Sequence, residues 1–148
     1  RNPRLRAVLT VSPYRYAKYG FHGSQLSKAR LLTAVDELTR RLPYSTYFPA
    51  YEIVLDELRD YRFYDADMLH PNQQAVDYIW ERFAETLLSP RCQDFLREME
   101  PIRKALAHKP FDPESDEYKR FVEEAKRKEQ AVIEKFQVPP RRYNDISI

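Results

Sequence analysis

The string Asp67-Met68-Leu69-His70-Pro71 sets a carboxylic acid and an imidazole three residues apart, just ahead of a helix start signal. In a turn, a carboxylate at position i reaches the ring Nδ1–H at i+3, fixes the imidazole's tautomer and leaves Nε2 free to take a proton from a hydroxyl. That is the base half of a serine-hydrolase triad, and Asp67 and His70 are the candidate catalytic residues. Two fixed residues also fit a purely structural pair, so the surrounding sequence has to decide. Ser12, at the end of a strand-like run, and His22, beside Gly23, are candidate substrate-binding residues. Each has a plainer reading as well: a serine before a proline shapes a loop, and a loop histidine is often only solvated. His108 reads as a helix-end residue. The three histidines lie far apart and His-x-x-x-His is missing, so neither a metal nor a cofactor is expected. Arg59 and Arg62 are expected to pair with neighbouring carboxylates. Tyr47, Phe48, Tyr51, Tyr61, Phe63 and Tyr64 are expected to be core residues before they are a platform for a sugar.

These side chains need elements to hold them. Residues 6–11 form a β-branched, mostly apolar block closed by Ser12-Pro13, which predicts a buried strand running into a loop. The Tyr-rich stretch 14–23 carries both glycines and is expected to be that loop, at the sheet edge where open α/β proteins bind ligands. Ser24 is the predicted N-cap of a helix with Leu31, Val35, Leu38 and Leu42 on one face, ended by Pro43. Residues 44–51 suggest a second strand with Pro49 at its end, completing a right-handed βαβ unit. Residues 52–58 suit a short helix. Pro71 and Asn72 start another helix, with Val76, Ile79, Phe83 and Leu87 as its stripe and Pro90 as its stop.

Beyond Pro90 the chain turns to charged helices. Cys92, Phe95, Met99, Ile102 and Leu106 suit a helix–helix seam kinked at Pro101. Asp112-Pro113 is the expected N-cap and first residue of a last helix, whose stripe is Tyr118, Val122, Ala125, Val132 and Phe136. The expected organisation is therefore a first domain over 1–88 and a charged helical extension over 89–148. With further strands needed to complete a sheet, the strand at 6–11 is expected to offer an edge to a second copy or to an N-terminal part of the same protein.

Composition narrows the classes. Only 2 of 148 residues are glycine, Gly20 and Gly23, so the closely spaced glycines of a phosphate loop or dinucleotide fingerprint are absent. Lys+Arg number 25 against 23 Asp+Glu, a net charge of +2 that argues against a dedicated nucleic-acid binder, with Arg141 and Arg142 read as a solvated tail. Cys92 is the single cysteine, so no intramolecular disulfide is possible and a reducing, cytoplasmic setting is expected. No apolar run approaches the ~20 residues of a membrane helix, and no membrane partner is expected. The chain opens on Arg1 and enters a strand almost at once, which suits the later part of a longer polypeptide.

Longer strings carry a family resemblance. Leu9-Thr10-Val11-Ser12-Pro13, Ser27-Lys28-Ala29, Tyr47-Phe48-Pro49-Ala50-Tyr51-Glu52-Ile53, the run from Asp56 through Tyr64, Asp67-Met68-Leu69-His70-Pro71 and Asp77-Tyr78-Ile79-Trp80 resemble the C-terminal part of the GSCFA family. The stretch around His108-Lys109-Pro110-Phe111 is similar to that family's helical tail. The resemblance implies the end of an SGNH-type hydrolase: an α/β fold, the C-terminal portion of a three-layer α/β/α sandwich, followed by a helical extension. It also implies a serine esterase acting on a small-molecule or carbohydrate ester such as a sugar O-acetyl group, with Asp67 and His70 as the dyad. The name-giving Gly-Ser-Cys-Phe-Ala string, whose Ser resembles the nucleophile, is absent from these residues and is expected upstream of Arg1, as are the Gly and Asn oxyanion donors. Tyr14 stands where Val is usual and Gln25 where Asn is common. The reading from a different class is a non-catalytic interaction module that uses the C-terminal helices.

Overall fold

The computed structural model describes residue 2 and residues 4–139; Arg141 and Arg142 lie outside the described residues. The chain divides into two compact units, Arg1–Thr86 and Leu87–Ile148. The architecture is mixed α/β, with helices predominating and a two-stranded parallel sheet.

In the first unit, strand β1 (Ala7–Leu9) and strand β2 (Ser45–Tyr47) pair in parallel, in register Ala7 to Ser45 and Leu9 to Tyr47. Both strands are shorter than the blocks 6–11 and 44–51 suggest. β1 leads into a loop and a single 3-10 turn at Ala17–Tyr19, then helix α1 (Gly20–Arg41) crosses back to β2. The helix thus starts four residues before Ser24, which is not its N-cap but lies buried inside it. Gly20 makes the junction possible: its φ of 72° is a left-handed value that a Cβ would strain. His22 therefore sits in the first turn of α1, exposed, and not in a loop. The anticipated stripe on α1 splits, with Leu31 and Leu38 exposed and Val35 and Leu42 half-buried, while the buried residues of the helix are Ser24 and Lys28.

After β2 the chain forms a short helix α2 (Ala50–Glu52) that widens into a π-helix over Ile53–Leu58 and ends on Arg59 in the left-handed region, φ 46°. A 3-10 turn at Tyr61–Phe63 follows. Helix α3 (Gln73–Leu87) is capped by Asn72, whose Oδ1 accepts from the Ala75 amide at 3.1 Å. Ala75 is the best-buried residue of α3 and Val76 of the expected stripe is 47% exposed, while Ile79, Phe83 and Leu87 are half-buried, so the stripe holds with Ala75 in place of Val76. The core of this unit gathers Val11, Phe48, Tyr51, Ile53, Val54, Phe63 and Ala75. The aromatic cluster is divided: Phe48, Tyr51 and Phe63 are buried, but Tyr61 is exposed.

The second unit is a helical hairpin. Helix α4 (Pro90–Leu106) takes Ser89 as N-cap and Pro90 as first residue, and runs on through Pro101 without interruption. Helix α5 (Asp116–Phe136) is capped by Ser115, not by Asp112, because the Ser115 hydroxyl accepts from the Tyr118 amide while Asp112 closes the preceding turn on the Glu114 amide. Arg91 donates to the Phe136 carbonyl at 2.8 Å and the Tyr118 hydroxyl donates to the His108 carbonyl at 3.2 Å, so the two helices run antiparallel. Met99, Ile102 and Ala125 are buried between them. Cys92, in the first turn of α4, is exposed and outside that seam. No described helix is long and apolar enough to cross a membrane.

Candidate active site

The segment from Tyr64 to Pro71 is a tight loop closed at its base. Tyr64 and Pro71 form an isolated antiparallel bridge, and the Asp65 amide donates to the His70 carbonyl at 2.8 Å. Asn72 ties this base to the preceding turn, its amide donating to the Phe63 carbonyl at 2.9 Å and its side chain to the Arg62 carbonyl at 2.6 Å. Met68 occupies the tip in the left-handed region, φ 60°, with its amide on the Asp65 carbonyl. An Asp in a turn bonds the backbone ahead of it, and Asp67 does so twice: Oδ1 accepts from the amides of Leu69 at 2.8 Å and His70 at 3.0 Å.

The other carboxylate oxygen, Asp67 Oδ2, lies 2.5 Å from His70 Nδ1. Asp67 is therefore an acceptor for three N–H groups. The backbone bond from His70 is the largest influence on its acidity, followed by the His70 ring and the Leu69 amide, and together they lower the carboxyl pKa to about 2. With Nδ1 engaged by a carboxylate, the neutral ring carries its proton on Nδ1 and its lone pair on Nε2. Among the described residues nothing hydrogen-bonds to Nε2, and the ring is 60% exposed. The geometry is that of an oriented imidazole base open to a reactant.

What holds this turn in place comes from far along the chain. The loop after β1 meets it at three points: the Arg15 amide donates to the Leu69 carbonyl at 2.9 Å, Arg15 Nη1 donates to the Met68 carbonyl at 2.9 Å, and the Tyr14 ring packs on the His70 ring with centroids 4.4 Å apart. The Arg15 guanidinium also lies over the rings of Phe21, Tyr64 and Tyr61. That loop is pinned in turn by two buried side chains one turn apart on α1. Ser24 Oγ accepts from the Tyr16 amide at 3.2 Å, and Lys28 Nζ donates to the Ser12 carbonyl at 2.6 Å. Burial lowers the Lys28 pKa, since the ammonium has given up water for one carbonyl and the face of Tyr51.

A family model described as the GSCFA family matches residues 1–83, more than half of the chain. The chain belongs to the GSCFA family. A second model, the C-terminal domain of GSCFA domain proteins, matches residues 99–138, which covers most of the α4–α5 hairpin. Comparison with curated proteins and with solved structures returns no match.

Within this GSCFA chain the structure brings Asp67 and His70 together and leaves the two other candidates apart from them. Ser12 Oγ accepts from the Tyr14 amide at 3.2 Å, a local turn, and among the described residues it has no hydrogen bond to His70. His22 lies exposed on α1. Among the described residues no group of three His, Cys, Asp or Glu side chains is placed to hold a metal ion. Three residues given no site role from sequence support the site: Tyr14 against the ring, Arg15 on the turn, and Lys28 beneath the loop. Lys28 stands in the Ser27-Lys28-Ala29 string of the family resemblance, but nothing local marks its reach to the Ser12 carbonyl. Arg62 pairs with Asp60 at 3.8 Å, as expected, but Arg59 does not pair: among the described residues its guanidinium has no carboxylate partner. Glu57 and Asp60 are already engaged, the first by Tyr78 and Arg82 and the second by Arg62.

Proposed function

We propose that this chain supplies the acid–base half of an SGNH-type serine hydrolase acting on an ester, such as an O-acetyl group on a sugar. In this reading the βαβ unit and α3 end a three-layer α/β/α sandwich whose other strands, Ser nucleophile and oxyanion donors belong to polypeptide upstream of Arg1. His70 Nε2 takes the proton of the serine hydroxyl as its oxygen bonds the acyl carbon, then gives that proton to the departing alkoxide. Water, deprotonated by the same nitrogen, releases the acid and restores the serine. Asp67 orients the ring and stabilises the imidazolium formed in each half. The observation that carries the reading is the Asp67 Oδ2 contact on Nδ1 together with an open Nε2.

The test begins with the residues that precede Arg1 in the same open reading frame. A Gly-Ser-Cys-Phe-Ala string there defines the polypeptide to express. In that protein His70→Ala should remove nearly all turnover of a short-chain nitrophenyl ester without lowering the melting temperature. An active protein whose specific activity survives His70→Ala refutes the reading. Absence of both the string and activity leaves the non-catalytic interaction module, built on α4 and α5, as the better account.

A further inference from the structure

Beside the dyad turn, Arg15, Gln25, Arg59, Asp60, Tyr61 and Tyr64 line a cleft of about 310 Å³, at the lower end of the range of small-ligand sites. Its electrostatics are uneven. Arg15 spends one of its five N–H donors on the Met68 carbonyl. Arg59 spends none of its side-chain donors on any described residue. Asp60 is the one carboxylate in the wall, and it is occupied: Oδ1 accepts from the Arg62 amide at 2.9 Å and Oδ2 faces Arg62 Nε at 3.8 Å. Two guanidiniums against one committed carboxylate leave the cleft positive, with forked donors that match a planar or tetrahedral oxyanion.

The backbone points the same way. Arg59 holds φ 46° at the end of a π-helix, its amide bonded to the Val54 carbonyl at 3.1 Å. A long side chain in the left-handed region is costly, and glycine would be easier there. π-Helical turns recur at functional sites, and this one sets Arg59 at the wall of the cleft. Exposed Tyr61 and half-buried Tyr64 add ring faces and hydroxyls, and Gln25, whose Oε1 accepts from the Tyr51 hydroxyl at 2.9 Å, keeps its amide N–H₂ for a ligand.

We propose that this cleft binds the oxyanion group of a ligand, a carboxylate or a phosphate, between Arg15 and Arg59. Placing that group on the substrate rests on the hydrolase reading; the binding itself does not. Taken together, the two give an ester whose alcohol or acyl part is acidic, held with the anion in the cleft and the ester toward His70.

Binding is measured on the 148-residue chain by calorimetry, with methyl glucuronide, inorganic phosphate and methyl glucoside as probes, so no turnover is needed. One of the two anions should bind measurably where neutral glucoside does not, and which one binds tighter separates a carboxylate from a phosphate source. Arg59→Gln should weaken that anion at least about tenfold, and Arg59→Lys should restore part of the loss, since the charge returns without the fork. Arg59→Gly should melt at a higher temperature than the parent and still lose the anion, which keeps folding and binding apart. Anions that bind no better than glucoside, or an affinity unchanged in Arg59→Gln, overturn the proposal. A cleft that binds its anion in a protein without esterase activity upholds the site and removes only its link to an ester.

Discussion

Replacing Asp67 by Asn isolates what the carboxylate does for the ring. The turn itself should survive, because an amide oxygen can still accept from the Leu69 and His70 amides that now lie 2.8 and 3.0 Å from Oδ1. The change falls on the third contact. The amide nitrogen now faces Nδ1, 2.5 Å away in the parent, and can only donate to it. The ring proton must then move to Nε2, the atom whose lone pair the proposed reaction needs. In the serine-protease precedent this swap costs about 10⁴ in kcat for a buried pair. Here the His70 and Asp67 side chains are 60% and 43% exposed, so water shares the task of selecting the tautomer. A smaller loss of about 10² to 10³ in kcat is expected. The assay is ester turnover by the full polypeptide, run beside a thermal melt. The melting temperature should stay close to that of the parent, since both backbone bonds that hold the turn are kept. Adding His70→Ala to the variant should cost no more than His70→Ala alone, since members of one catalytic unit fail together. A variant that keeps a third or more of the parent kcat with an unchanged melt refutes the argument.

Three charged or buried positions give further checks. The Asp67 carboxyl should titrate near pH 2 in a carbon-detected NMR series, and its contribution to the turn, full above the ordinary value of 3.8, should fade as pH falls through about 2; a midpoint at or above 3.8 removes the three-bond account. Lys28 has its folded-state pKa below 10.5, so the unfolded chain holds that proton more tightly and stability rises as pH climbs toward 10.5. Urea melts should therefore show the stability gap between the parent and Lys28→Met moving in the parent's favour with rising pH, and a gap flat in pH contradicts it. Ala75, with no exposed surface at the start of α3, should not accept Leu without a loss of about 1–3 kcal/mol in the same melts. Finally, under the proposed function, which sets nucleophile and oxyanion donors upstream of Arg1, the 148-residue chain alone should hydrolyse nitrophenyl esters no faster than free imidazole; turnover abolished by His70→Ala in this chain would place the nucleophile inside it.

The parts of the site that can be read from the sequence are those built by neighbours. Asp67 and His70 are three residues apart, so a turn is enough to join them, and Pro71-Asn72 marks the helix that follows. Apolar spacing located α1, α3, α4 and α5. It missed the start of α1, because Gly20 looks like loop chemistry when it in fact supplies the one φ that joins a 3-10 turn to the helix. It missed Ala75, since a small residue at a close-packed position weighs little in a hydrophobic pattern. Asp56, Glu57 and Asp60 stand around Arg59 in sequence and suggested pairing, but the π-helix and the left-handed residue turn the backbone while Tyr78, Arg82 and Arg62 claim two of those carboxylates. Tyr14, Arg15 and Lys28 act across folds of the chain, and no local pattern encodes such contacts.

Arg15 reaches Met68 across 53 positions of sequence, and this gives the site an order of assembly. The acid and the imidazole can meet in a short peptide as soon as the turn closes. Their aim cannot be set until the two strands, whose paired residues are 38 apart at Ala7 and Ser45, have brought the loop of Tyr14 and Arg15 against the turn. Closing the larger loops is slow relative to forming a turn. In refolding, the pair therefore forms early and the addressed site late, so packing of Tyr14 on the His70 ring reports completion of the whole first unit and not the presence of the pair.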